Sequence, residues 1–442
     1  MLRRPLTLAL AFALLPMAAQ ADDLLQSYQN ARNSDPQYAA AEANRLVTAE
    51  RPVQARAALL PNIGGSIGAN RVDHGVGGVR TGSWGINMQQ SLFNFGSYKA
   101  LEGAKSLDRA GGFTLQAAGQ TLITRTSAAY FNVLVQLETL SAAEAAETAL
   151  KKQFDFASKR LEVGLAPITD VYEARAQYDG ARANTLLARN AAQDAYQALL
   201  EITHAAAGNL KGLPDDFKPA LSSDKNVDAW VANALANNPT LKAQQASLDA
   251  AESSVATARA GHLPTLGLQA SYGKAITGLY DPAFIGANKA STSVGLTLNI
   301  PIFSGMATQS NIRSALAQRD AAADAVEQTK RAVERSTRSA YQTMVAGISQ
   351  VEALHSSLLS AQKAYDASQV GLEVGTRTVL DVLNNQRTLF SAQQAYAQAK
   401  YNFLQSRLLL EQSAGDLNVN DVEDINRLLT TDKAIDKSLA GG

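Results

Sequence analysis

Ser293-Val294-Gly295-Leu296-Thr297-Leu298-Asn299-Ile300 puts an apolar residue at every even position and a small or polar one at every odd position. Side chains of an extended chain alternate between two faces, so this run reads as a strand with one oily and one polar face. Thr265 to Tyr272 alternates likewise, with Leu266, Leu268, Ala270 and Tyr272 on one side. Two earlier runs match it: Ile63, Gly65, Ile67 and Ala69, then Trp84, Ile86 and Met88. Strands are therefore expected near 62–70, 83–93, 265–272 and 293–303. Arg71–Gly82 and Gly273–Ser291, rich in Gly, Asp and Asn, read as the loops between them. Pro61 and Pro264 mark the entry from helix to strand, and Pro301 the return to helix. Each run suits a tilted bilayer crossing, with apolar residues outward. Two soluble hairpins capping a helical bundle would give the same alternation. Four strands cannot close a barrel alone, so the barrel reading requires several copies of the chain.

Outside these runs the sequence is helical. Residues 22–59 lack an internal Gly, with Pro52 marking a kink. Ser97 to Leu161 is rich in Ala, Leu, Glu, Gln and Lys and lacks proline, and Met306 to Leu372 repeats the feature. At 1.5 Å per residue each would be on the order of 100 Å long. Gly103, Gly111, Gly112 and Gly119 weaken the first of them locally. Helices of this length outrun a compact domain and lie in coiled-coil bundles.

The mature chain reads as one unit written twice. Ser34-Asp35-Pro36 returns as Asn237-Asn238-Pro239, Ala55-Arg56-Ala57 as Ala258-Arg259-Ala260, and Leu60-Pro61 as Leu263-Pro264. Glu162-Val163-Gly164 returns as Glu373-Val374-Gly375, and Asp170-Val171 as Asp381-Val382. The order in each half is helix, two strands, very long helix, turn, long helix. The expected division is a signal peptide at 1–21, repeat 1 at 22–207, a linker at 208–228, repeat 2 at 229–415 and a C-terminal segment at 416–442. The signal peptide rests on Arg3-Arg4, the apolar run Leu6 to Leu15 and the small-residue site Ala19-Gln20-Ala21. Beyond it no run is long and apolar enough for a membrane-spanning helix, so any crossing of a bilayer would be by strands.

Composition excludes several chemistries. Forty Lys+Arg balance 40 Asp+Glu, so no net field attracts nucleic acid or an acidic substrate. Zero cysteines exclude disulfides, thiolate nucleophiles and Cys-ligated metal. His74, His204, His262 and His355 are scattered, without an acid or second His at ligand spacing. Gly75-Val76-Gly77-Gly78 precedes no helical run and no phosphate-binding loop occurs. Asp22-Asp23 and Asp215-Asp216 read as solvated pairs, and Arg331, Arg335 and Arg338 as a salt-bridged helix exterior. No catalytic residue, metal site or cofactor is expected. A soluble periplasmic coiled-coil adaptor remains the alternative, although no lipoyl-like β domain separates its helices.

The chain resembles the TolC family of outer-membrane efflux and secretion channels. The resemblance spans both halves and is carried by Gly261-His262-Leu263-Pro264-Thr265-Leu266, by Val163-Gly164-Leu165 with Ile168-Thr169-Asp170-Val171, and by Val374-Gly375-Thr376-Arg377-Thr378 with Leu380-Asp381-Val382-Leu383. It implies a mainly α homotrimer in which each protomer gives four strands to a shared 12-stranded membrane barrel, continuous with a long periplasmic α-helical barrel. It also implies partners: a periplasmic adaptor (membrane fusion) protein, an inner-membrane transporter of RND, ABC or MFS type, and outer-membrane lipid. Residues 203–230 and 416–442 would lie around the waist of the helical barrel.

The two helical turns are the candidate functional sites. Gly164 and Gly375 fit the left-handed position that follows a helix, and Pro167 fits the start of the next. Thr378-Val379-Leu380-Asp381 is a helix-start signal with an acid in the first turn. Taken alone, Asp381 and Asp170 are helix-start acids. The resemblance instead implies that three copies of Asp381 ring the periplasmic aperture and attract cations. Family members carry a second aspartate one turn on, where this chain has Asn384, and a latch tyrosine where it has Leu372. Arg377 is retained, with Thr169 and Asp170 as implied latch partners. Val163, Gly164, Leu165, Val374, Gly375 and Thr376 are the implied adaptor-docking tips.

Overall fold

The computed structural model describes residues 23–74, 77–220, 226–277 and 290–435. The expected signal peptide and most of Gly273–Ser291 lie outside these residues. The chain forms two compact units.

The first unit comprises residues up to Ala39, Ala118–Asn238 and the chain from Glu334 onward. It opens with α1 (Leu24–Ser34), whose N-cap Asp23 accepts a hydrogen bond from the Gln26 N–H at 2.7 Å. Asp23 also accepts from the Asn426 amide at 2.9 Å, so it is a structural anchor and not merely solvated. The chain then breaks at Asp35-Pro36 before α2 (Pro36–Ala57). Buried Asp35 accepts from the Tyr38 N–H at 2.8 Å and pairs with Arg125, while Pro36 occupies the first helical position, where its missing N–H costs nothing. Pro52, where a kink is expected, lies inside α2, which continues through it.

The rest of this unit is built from the C-terminal part of α3 (Phe95–Glu162), α4 (Ile168–Thr203), α5 (Val227–Asn237), the C-terminal part of α7 (Ala307–Glu373), α8 (Val379–Ala414) and α9 (Val419–Asn426). Their common core holds Leu24, Tyr130, Leu134, Trp230, Leu404, Leu408 and Ile425, all essentially inaccessible to solvent. Two short strands, β3 (Asn209–Gly212) and β6 (Thr431–Ala434), pair antiparallel and bring the interval between the halves against the C-terminal segment. The Tyr130 hydroxyl donates to the Lys211 carbonyl at 2.9 Å and lies 2.8 Å from its N–H, holding β3 to α3.

Beneath this small sheet sits a cluster of buried charge. Lys400 on α8 is 1% exposed, and its Nζ lies 3.4 Å from Glu138 Oε2 on α3. Lys433 of β6 approaches Glu138 Oε1 at 3.7 Å, and the Tyr401 hydroxyl donates to the same oxygen at 3.0 Å. Tyr401 in turn accepts from the Leu213 N–H at 3.2 Å. The Lys400 ammonium stands 5.0 Å from the Tyr396 ring centroid and 5.7 Å from that of Tyr401. Burial, with the Glu138 charge beside it, pushes the Tyr401 phenol far above its ordinary value, so it remains a donor at every physiological pH.

The second unit comprises Ala40–Ala117 and Pro239–Val333. It holds a four-stranded antiparallel sheet in the order β1 (Asn62–His74), β2 (Gly77–Phe93), β4 (Thr265–Thr277), β5 (Ser291–Asn299). The register runs Ile63↔Met88↔Ala270↔Val294 across the sheet, and β1 and β5 are its open edges. All four strands differ in extent from expectation. β1 extends to His74 and β2 begins at Gly77, both inside the presumed loop, because Gly77, Gly78 and Gly82 pair in the ladder with His74, Asp73 and Ala69. β4 likewise extends to Thr277. β5 stops at Asn299, short of 303, because Pro301 has no N–H for a ladder and restrains the residue before it. Gly305 and Met306, with φ of 59° and 66°, then turn the chain into α7.

In the same unit, α2, α6 (Pro239–Arg259) and the N-terminal part of α3 pack on one another through small residues. A single 3-10 turn, Ala260–His262, links α6 to β4. Arg45 binds Asp108 at 2.5 Å and Arg109 binds Asp249 at 3.0 Å. A Cβ on Gly111 would lie 2.1 Å from the Thr48 hydroxyl, so this glycine sets how closely α2 and α3 approach. Despite its five glycines, α3 is one unbroken helix of 68 residues, and α7 one of 67.

Candidate functional site at the helical turns

The α3–α4 and α7–α8 turns are built alike. Gly164 has φ +74°, its N–H donates to the Leu161 carbonyl at 3.0 Å, and the Leu165 N–H reaches back to Arg160 at 2.8 Å. Gly375 has φ +79°, donates to Leu372 at 3.2 Å, and Thr376 reaches back to Gly371 at 2.8 Å. Both are Schellman closures, in which only glycine takes the left-handed position without strain. No atom would meet a Cβ at either glycine, so their requirement is conformational and not one of space.

The following helices start differently. Pro167 is the N-cap of α4 and provides no side-chain bond, leaving Asp170 in the first turn. Thr378 and Asp381 form a full capping box on α8. The Asp381 N–H donates to the Thr378 hydroxyl at 3.2 Å, while the Thr378 N–H and hydroxyl each donate to Asp381 Oδ2 at 3.0 Å. These bonds, aided by the nearby Arg377 charge, hold the Asp381 carboxyl below its ordinary value, so it is ionised at neutral pH.

Asp170, Gly375 and Arg377 line one groove of about 900 Å³, together with Phe156, Arg160 and Leu380. Among the described residues no ion pair or hydrogen bond joins Arg377 to Thr169 or Asp170 within the chain. Its stem instead lies over Gly371, where an added Cβ would meet the Arg377 Cγ at 2.6 Å. Asn384 is exposed one turn beyond Asp381, and its carbonyl accepts from Thr388. Val163, Leu165 and Val374 are each more than 60% exposed, an apolar tip on both turns.

Elsewhere, His355 packs its ring 5.2 Å from Tyr396, and His204 closes α4 in a left-handed conformation. Arg331 pairs with Glu327, and Arg338 with Asp228 and Glu334. Among the described residues no group of His, Asp and Glu is arranged to hold a metal ion, and no helix is long and apolar enough to cross a membrane. Sequence reasoning missed the Glu138–Lys400–Tyr401–Lys433 cluster. Its one signal was Lys400 four residues from both Tyr396 and Leu404, a cation on an otherwise apolar helical stripe.

With this architecture in hand, comparison with known proteins is direct. The family model for outer membrane efflux proteins matches residues 27–203 and 230–416. The outer membrane protein TolC of Escherichia coli is 34% identical over 450 residues, covering 96% of this chain and 89% of that protein. The alkaline protease secretion protein AprF of Pseudomonas aeruginosa is 28% identical over 419 residues, covering 90% and 86%. The outer membrane channel CmeC of Campylobacter jejuni superposes with a TM-score of 0.77 at 18% identity, covering 92% and 90%. The chain belongs to the outer membrane efflux protein family.

Proposed function

We propose that this protein is the outer-membrane exit duct of an efflux or type I secretion system, conducting cargo passively from an inner-membrane transporter to the outside. Three copies assemble about one axis, and β5 of each pairs with β1 of the next to close a twelve-stranded barrel. The helices continue it as an α-barrel through the periplasm. The observation that carries this reading is a sheet open at both edges, with Ile67 92% and Leu296 66% exposed on one face, leading directly into helices of 68 and 67 residues. Such edges and such a face need partners, which a neighbouring copy and lipid supply. A division into repeats at 22–207 and 229–415 is supported by matched lengths: 68 and 36 residues for α3 and α4, 67 and 36 for α7 and α8. Residues 208–228 and 416–442, joined through β3 and β6, form the waist.

The turns are the periplasmic end. Asp381 makes a carboxylate ring there, with Asn384 leaving it single, and the exposed Val163-Gly164-Leu165 and Val374-Gly375-Thr376 tips receive the helical hairpin of a periplasmic adaptor. Arg377 acts as a latch toward Thr169 and Asp170 of a neighbouring coil. The transporter, of RND, ABC or MFS type, supplies the energy, and the duct itself hydrolyses nothing.

Single-channel recording in a planar bilayer tests this. Wild-type protein is expected to insert and give small, mostly closed steps that multivalent cations block from the periplasmic side. Asp381→Asn keeps an acceptor for the Thr378 N–H but removes the charge, so block should weaken at least tenfold with the fold retained. Unchanged block would reduce Asp381 to its capping role, and absence of insertion by a folded sample would overturn the duct. In the same assay Arg377→Ser is expected to raise closed-state conductance severalfold, and an unaltered value would remove Arg377 from the latch.

A further inference from the structure

The strand register sorts the sheet's residues onto two faces, and their charge is distributed unequally. Residues directly opposite in a ladder share a face, so Ile63, Met88, Ala270 and Val294 lie together, as do Gly64, Asn87, Ser271 and Ser293. On this second face every described position of β1 from Asn62 to Asn70, of β2 from Thr81 to Ser91, of β4 from Thr265 to Thr277 and of β5 from Ser291 to Asn299 is Asn, Gln, Ser, Thr or Gly, with Ala275 the one exception. Charged residues make up 18% of the chain, yet none falls in this set. The one charge these stretches contain, Lys274, occupies a register position of the apolar face, opposite Trp84, and Arg71, Asp73 and Arg80 just beyond them also fall at register positions of that face.

We infer that the membrane-level lining of the duct is electrically neutral: a hydrogen-bonding surface that passes polar cargo of either sign and leaves discrimination by charge to the helical turns. This rests on the duct reading, in which the polar face lines the lumen. Amide, hydroxyl and backbone groups can solvate an anion or a cation in passing, whereas a fixed carboxylate or ammonium ring would hold one sign and repel the other. The frequent glycines keep the surface flush, so passage there is limited by width. The cargo class suited to such a lining is a polar solute or an extended polypeptide carrying mixed charge.

The absence of cysteine from the wild-type chain makes the test clean. In the full-length protein, in bilayers, Ser271→Cys is treated from the outer side with a cationic and an anionic methanethiosulfonate of matched size. Each rate is divided by that reagent's rate with a free thiol in solution. The normalised rates are expected to agree within about threefold, with conductance falling on modification. Ala270→Cys, one residue away on the other face, is expected to react at least tenfold more slowly with both. A cation-to-anion ratio beyond tenfold in either direction overturns the neutral lining while leaving the duct intact. Faster reaction at 270 than at 271 overturns the face assignment. Failure of the folded protein to conduct at all overturns the duct reading and this inference with it.

Discussion

Glu138→Gln should be among the most damaging single changes in the first unit, lowering unfolding stability by about 3–5 kcal/mol. Lys400 is fully enclosed and Glu138 is the carboxylate that compensates it, at 3.4 Å. Removal of the negative charge leaves the ammonium among Tyr396, Tyr401 and helix packing, with ring faces and a neutral amide oxygen in place of its counter-charge. It also removes the charge that Lys433 pairs with and weakens the acceptor of the Tyr401 hydroxyl, so the ion pair that holds β6 to α3 is lost. The check is the guanidinium midpoint of the detergent-solubilised protein, read by circular dichroism. A double change to Glu138→Leu and Lys400→Met should recover most of the loss, because replacing a whole buried pair by apolar groups costs far less than breaking it. An unchanged midpoint for Glu138→Gln would mean that the pair contributes nothing.

Gly415→Ala ranks next. Gly415 ends α8 with φ +83°, and a Cβ there would lie 2.7 Å from the backbone carbon and oxygen of Asn237 and from the Asn238 Cα. Left-handed geometry costs an L-residue about 1–2 kcal/mol. Forced overlap with backbone that cannot move aside adds about 1–3 kcal/mol. Gly375→Ala meets no atom and should cost the conformational part alone. The difference between the two melting temperatures isolates the packing contribution, and equal shifts would show that the contact at Asn237 is relieved elsewhere. The stretch matters because Asn238 also donates to the Ser413 carbonyl at 3.0 Å, tying the α5–α6 junction to the end of α8.

What the sequence made legible follows from how local each signal is. The Thr378–Asp381 box and the glycines at 164 and 375 are decided by residues within one turn of each other, and the structure has them as read. Alternation located the strands for the same reason. It misjudged their ends because glycine and aspartate lower strand propensity in general, while here Gly77, Gly78 and Gly82 are held in the ladder by the partner strand. The boundary between α1 and α2 at Pro36 was not read because Asp35, besides capping the Tyr38 N–H, finds Arg125 about ninety residues away, a partner that no local pattern contains. Glu138 is hidden for the same cause, an ordinary helix residue until the fold sets it against Lys400, whose place on an apolar stripe was the one local hint. The candidate turn residues were found one by one, whereas the groove that collects Asp170, Gly375 and Arg377 needed coordinates.

The unequal starts of α4 and α8 have a consequence for symmetry. The start of α8 is fastened by a reciprocal pair of side-chain bonds, whereas α4 starts at a proline without a side-chain cap, its turn held by one exposed bond from the Arg160 guanidinium to the Leu165 carbonyl at 3.1 Å. In the proposed trimer, six hairpins would surround the axis and alternate between stiff and compliant. The aperture would then have threefold character despite its nearly sixfold outline, and a visiting protein would find three tips that yield to it and three that keep their shape.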